Sequence, residues 1–94
     1  MHVRVVRFTD VAPDRAAAIA DRIEDAGGPP PGAPSSGVQL LYDEDQRTAI
    51  VLQFFDSAED MAVGERIFAA MDPGETPGTR ASVDRCVQKV AMTV

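Results

Sequence analysis

Few side chains in this sequence are suited to proton transfer, and His2 is the only histidine. Imidazole titrates near neutrality, which makes it a common general acid or base. His2, however, lies beside Met1 at what reads as a strand end, where fraying argues against a catalytic role. Cys86 is the only cysteine. A thiol becomes nucleophilic when a base or cation lowers its pKa, and Arg85 and Lys89 are close in sequence. In a strand those two share one face and Cys86 takes the other, so the favoured reading is a buried, inert thiol. One histidine and one cysteine do not make a zinc or iron site, and no metal is expected. Asp43, Glu44 and Asp45 lack the twelve-residue pattern of a calcium loop and read as a solvated turn.

Four polar side chains suggest binding more than catalysis. Arg4 and Arg7 fall in a strand-like run, where charge is costly unless it is paired. By parity they point to opposite faces, and Arg7 lies near enough to the strand end to reach solvent along its stem. Arg4 and Gln53 could anchor a polar group of a ligand. The favoured alternative is a salt bridge between subunits, with an acid such as Asp84. Tyr42 could donate a hydrogen bond or a proton, although a strand-end tyrosine more commonly packs. Val6, Phe8, Phe55, Phe68 and Met71 are the apolar candidates for the lining of a small-molecule cavity, with Arg4, Gln53 and Tyr42 supplying polarity. There is no phosphate loop, serine elbow or dinucleotide fingerprint, and no cofactor is implied.

These residues need elements to hold them, and 94 residues suffice for one domain, spanning 1–94. Nine basic residues against fifteen acidic ones give a net charge of −6. That balance, without a basic run, disfavours nucleic acid and acidic membrane surfaces as partners. The absence of a signal-like leader or a long apolar run makes the cytoplasm the expected compartment.

Val3 to Phe8 reads as a strand ending at Thr9-Asp10. Pro13 and Asp14 open a helix whose buried stripe is Ala16, Ile19, Ala20 and Ile23, and Gly27 closes it. Residues 27–37 form a proline-rich connection. Val38–Tyr42 and Thr48–Phe55 are strands joined by the polar hairpin tip 43–47. Ser57, with Asp60 three residues on, starts a second helix. Its buried face takes Met61, Val63, Gly64, Ile67, Phe68 and Met71, with Glu59, Glu65 and Arg66 placed opposite. Asp72-Pro73-Gly74 ends this helix, and a final strand runs from about Ser82 to Val94.

The resulting order, β-α-β-β-α-β, is that of the split βαβ, ferredoxin-like α+β fold with a four-stranded antiparallel sheet. In the third strand Ile50, Leu52 and Phe54 alternate with Val51, Gln53 and Phe55, so both faces are largely apolar. A sheet with one wet face alternates more cleanly. With two helices to cover one face, a second copy of the chain is expected on the other. Val3, Val5, Ile50, Leu52 and Phe54 form the more continuous apolar set and are assigned to the helices. Arg4, Val6, Phe8, Val51, Gln53 and Phe55 are assigned to the partner.

Over nearly its whole length the chain resembles the dimeric α/β-barrel superfamily that includes the antibiotic-biosynthesis monooxygenases. The resemblance rests on the element order, on Gln53-Phe55-Asp56-Ser57 at the entry to the second helix, and on Glu75-Thr76-Pro77-Gly78-Thr79-Arg80 before the last strand. It implies a homodimer with a cavity between helices and sheet or within the barrel, holding a small organic molecule. It also admits a cofactor-independent monooxygenase or isomerase acting on a phenolic or polyketide-like substrate, or a non-catalytic structural or regulatory dimer. The positions that carry asparagine, tryptophan and histidine in haem-degrading members appear here as Val6, Phe55 and the Met71-Asp72 region. Haem degradation is therefore not expected.

Overall fold

A computed structural model describes residues 1–28, 32–69 and 78–93. The chain folds as an α+β unit in the order β1 (His2–Thr9), α1 (Pro13–Ala26), β2 (Gly37–Asp43), β3 (Thr48–Phe55), α2 (Ala58–Ala69) and β4 (Thr79–Val87). The four strands make one antiparallel sheet in the order β2-β3-β1-β4. β1 is thus central, with β3 on one side and β4 on the other.

The helix boundaries follow from local chemistry. Pro13 opens α1, where its missing N–H costs nothing, and Asp14 lies in the positively polarised first turn. Gly27 ends the helix at φ 68°, a left-handed conformation that suits glycine, and its N–H donates to the Glu24 carbonyl. At α2 the Asp60 N–H donates to Ser57 Oγ at 3.1 Å, satisfying one orphan donor of the first turn. The Asp72-Pro73-Gly74 stop expected for this helix lies outside the described residues.

The β2–β3 hairpin keeps the expected register, with Asp43 opposite Thr48. Its tip is stabilised by the Gln46 N–H donating to Asp43 Oδ1. The hairpin also holds the turn after β1. The Val11 N–H donates to the Arg47 carbonyl at 2.9 Å, and Tyr42 Oη donates to the Val11 carbonyl at 2.6 Å. Val11, fully buried, therefore has both backbone polar groups satisfied by the hairpin.

One expectation is reversed. The helices pack on the face carrying Arg4, Val6, Phe8, Val51, Gln53 and Phe55, not on the face of Val3, Val5, Ile50, Leu52 and Phe54. Val6, Phe8, Val11, Ala16 of α1 and Ala49 form one buried cluster, with Leu40, Tyr42, Val51 and Val83 against it. Phe55 is enclosed beneath α2, and a Cβ on Gly64 would fall 2.5 Å from Phe55 Cε1. Small residues decided the matter. Ala16, Ala49 and Gly64 let backbone and aromatic rings approach closely, and continuity of large apolar side chains was the weaker guide. Val3, Val5, Ile50, Leu52 and Phe54 are only partly buried, on the face without helices.

The last strand differs as well. It begins at Thr79, carries an irregularity opposite Arg7 and Phe8, and ends at Val87. Beyond it the Gln88 N–H donates to the Met1 carbonyl at 2.9 Å, and residues 88–93 lie outside any strand. Among the described residues no helix is long and apolar enough to cross a membrane.

Candidate functional site

Six of the eight cavity candidates share the helix-covered face. Arg4 pairs with Gln53 across β1 and β3, Phe8 pairs with Ala49, and Ala49 pairs in turn with Tyr42, while Val6 and Phe55 hold the same parity. The side chain of Phe68 and the whole of Met71 lie outside the described residues. Within this face two zones differ in chemistry.

The first zone is apolar and closed. Val6, Phe8 and Phe55 are buried, Phe55 completely. Tyr42 packs at its margin with its hydroxyl committed to the Val11 carbonyl. A phenol holding a buried backbone acceptor is a structural brace, since freeing it leaves that acceptor unsatisfied.

The second zone is polar and lies between the β3–β1–β4 strip and α2. Arg4 Nη1 donates to Gln53 Oε1 at 2.8 Å, and both residues are largely buried. Arg4 Nε stands 3.3 Å from Glu65 Oε1, and Arg85 Nε donates to that same oxygen at 2.6 Å. One carboxylate oxygen is thus shared by two guanidinium groups. Burial holds the Arg4 pKa below its ordinary value; Glu65 opposes that shift, and Arg80 and Arg85 add repulsion. The group stays charged regardless, because arginine starts so high.

This geometry changes the reading of several residues. The acid that pairs with Arg4 is Glu65 of the same chain. Asp84 is paired with Val5 in the ladder, which places it on the opposite face from Arg4. Glu65, expected on the solvent side of α2, contacts Arg4 with its side chain only 23% exposed. Its spacing contained the signal: four residues after Met61, it lies about 40° from that buried position on a helix. Cys86 is exposed, contrary to the buried thiol expected from its strand. It pairs with Val3 on an edge strand, so it lies on the face that no helix covers. Arg7 is exposed as expected, and His2 is held in the ladder between Phe55 and Val87.

Among the described residues no group of three or more histidine, cysteine, aspartate or glutamate side chains is placed to hold a metal ion. No protein-family model, curated protein or solved structure matches the chain.

Proposed function

We propose that this protein acts as a homodimeric α/β barrel of ferredoxin-like topology that binds a small apolar or aromatic molecule between α2 and the sheet. The observation that carries the reading is the uncovered sheet face. Val3, Val5, Ile50, Leu52 and Phe54 are only half-buried there, with Leu41 more exposed beside them. A contiguous apolar surface of this kind marks an interaction site, and a second copy offers a matching one under two-fold symmetry. The strand order β2-β3-β1-β4 and the Ser57 cap at the entry to α2 support the same reading, as does the resemblance to the monooxygenase-containing superfamily.

The ligand belongs on the other face, beside Arg4 and Gln53. Polar side chains set into an apolar wall are the usual means of orienting a small molecule. A second reading is a dimer module without a ligand. The closed packing of Val6, Phe8 and Phe55, and the engaged Tyr42 hydroxyl, favour it.

Sedimentation tests the dimer. At micromolar concentration the protein should run at twice its 10.0 kDa chain mass, and Leu52→Asp should return it to one chain. A wild-type species of 10.0 kDa under those conditions overturns the dimer. Thermal shift with neutral and acidic aromatic compounds tests the ligand, because binding to the native state alone raises apparent stability. A flat response across both classes leaves the module without a ligand.

A further inference from the structure

Among the described residues the exposed large apolar side chains are Met1, Val38, Leu41, Val87, Val90 and Met92, and they fall in two places. Val38 and Leu41 lie on β2, one edge of the sheet. Val87, Val90 and Met92 lie at the end of β4 and just beyond it, and the Gln88 N–H ties Met1 to the same stretch. Val90 and Met92 are 77% and 80% exposed, more than any of the others. Apolar surface left in water at two separate places is a cost that folding of the single chain does not relieve.

The spacing beyond β4 is that of a strand. Val90 and Met92 are two positions apart, and each is an even number of residues from Cys86. Cys86 belongs to the uncovered face by its pairing with Val3. Continued past Val87 with the same period, the chain would bring Val90 and Met92 to that face, where Leu41 lies opposite Ile50. The sequence thus carries the pattern of a strand through residues 88–93, and no ladder of the sheet takes it up beyond Gln88.

Within one chain the two sets cannot cover each other. β2 and β4 are opposite edges with β3 and β1 between them, so they stand three strand spacings, or about 14 Å, apart. A second copy brings them together. Each copy offers one free β2 edge and one unpaired stretch, and a two-fold axis forms the contact twice. Extended, residues 88–93 span about 20 Å, enough to follow most of the seven residues of β2. Charge favours this edge over the other. β2 runs into Asp43, Glu44 and Asp45, of opposite sign to Lys89, whereas β4 carries Arg80 and Arg85.

We propose that residues 88–93 of one copy add as a strand to the free edge of β2 in a second copy and receive the same in return. The inference rests on the homodimer proposed above and names the contact that holds it together. Backbone hydrogen bonds would satisfy an edge that is otherwise a template for uncontrolled pairing. Val90 and Met92 would at the same time cover Leu41. The exchange joins the two sheets edge to edge, which is what the uncovered faces need to close on each other.

The experiment follows the full chain by sedimentation and amide hydrogen exchange over a range of protein concentrations. The amides of residues 89–93 and 38–42 should gain protection together as concentration rises, by at least about tenfold where association is complete. Val90→Pro deletes a backbone donor at an exposed position and should weaken self-association by at least about tenfold. It should leave urea denaturation of dilute protein unchanged. Lys89→Glu should weaken association several-fold more than Arg66→Glu, which makes the same charge change at an exposed site on α2.

A wild-type dimer with no protection gained at 89–93, and unmoved by Val90→Pro, would falsify the strand exchange while leaving the homodimer intact. Protection at 89–93 accompanied by β4 in place of β2 assigns the contact to the other edge and overturns it equally. Lys89→Glu no weaker than Arg66→Glu overturns the part given to the hairpin acids. A single chain mass at every concentration removes the inference together with the dimer on which it rests.

Discussion

The two faces of the sheet have similar apolar content and very different surroundings. On one, Val6, Phe8, Ala49 and Phe55 are buried under α1 and α2. On the other, Val3, Val5, Ile50, Leu52 and Phe54 keep part of their surface in water. The helix-covered face also holds Arg4 and Gln53, residues that a hydrophobicity count would send to solvent. A polar residue can occupy a helix-covered position when a partner arrives with the helix, as Glu65 does on α2. The other face carries its apolar residues on β1 and β3 beside Arg7 and Asp84, whose charges stay exposed to water.

Substitutions at matched positions on adjacent residues break this comparison most directly. Phe55→Ala should cost about 3–5 kcal/mol in urea denaturation, because the ring is fully enclosed and leaves a cavity. Phe54→Ala, one residue away on the uncovered face, should cost about 1 kcal/mol in dilute solution and, under the proposed dimer, weaken self-association instead. If both substitutions cost the same in dilute protein, the two faces are not distinct in the way described.

Gly64→Ala ranks next. Its new methyl would lie 2.5 Å from the edge of a ring that has no room to swing away. Overpacking of about 1–3 kcal/mol should exceed the gain of up to about 1 kcal/mol in helix propensity. A net stabilisation in thermal unfolding would mean that α2 stands off from β3. Tyr42→Phe should cost about 1–2 kcal/mol by leaving the Val11 carbonyl without its donor. The smallest effect is a rate. If the proposed dimer covers the face on which Cys86 lies, its thiol should react with a thiol reagent more slowly as protein concentration rises. A rate independent of concentration argues that the partner does not reach β4.

Much of the architecture was legible from local pattern. Pro13, Gly27, Ser57 and the alternation of Thr48–Phe55 each act within a few residues, and the observed elements begin or end where those residues place them. The face assignment was not legible in the same way. Parity groups the residues of a strand into two sets, but it does not say which set meets the helices. That depends on the fit of Gly64 to Phe55 and on the packing of Ala16 against Val6, Phe8 and Ala49, contacts between segments far apart in sequence. The same limit hid the partner of Arg4. Its candidate acids were equivalent in sequence until the ladder put Asp84 on the opposite face and α2 brought Glu65 across. Cys86 read as buried because its strand alternates, and an edge strand with an uncovered side alternates just as well.

The position of β1 also governs how the chain can assemble. It is made before either of its neighbours, yet it lies between them in the sheet. During synthesis it must wait for β3 to supply one edge and for β4 to supply the other, with both helices formed in between. Pairings this distant in sequence close slowly, because loop entropy is lost before contacts are gained. Until β4 docks, the core strand of the finished sheet is an open edge. A nascent chain at that stage is most exposed to mispairing with another copy, so the step that completes the fold is also the one that protects it.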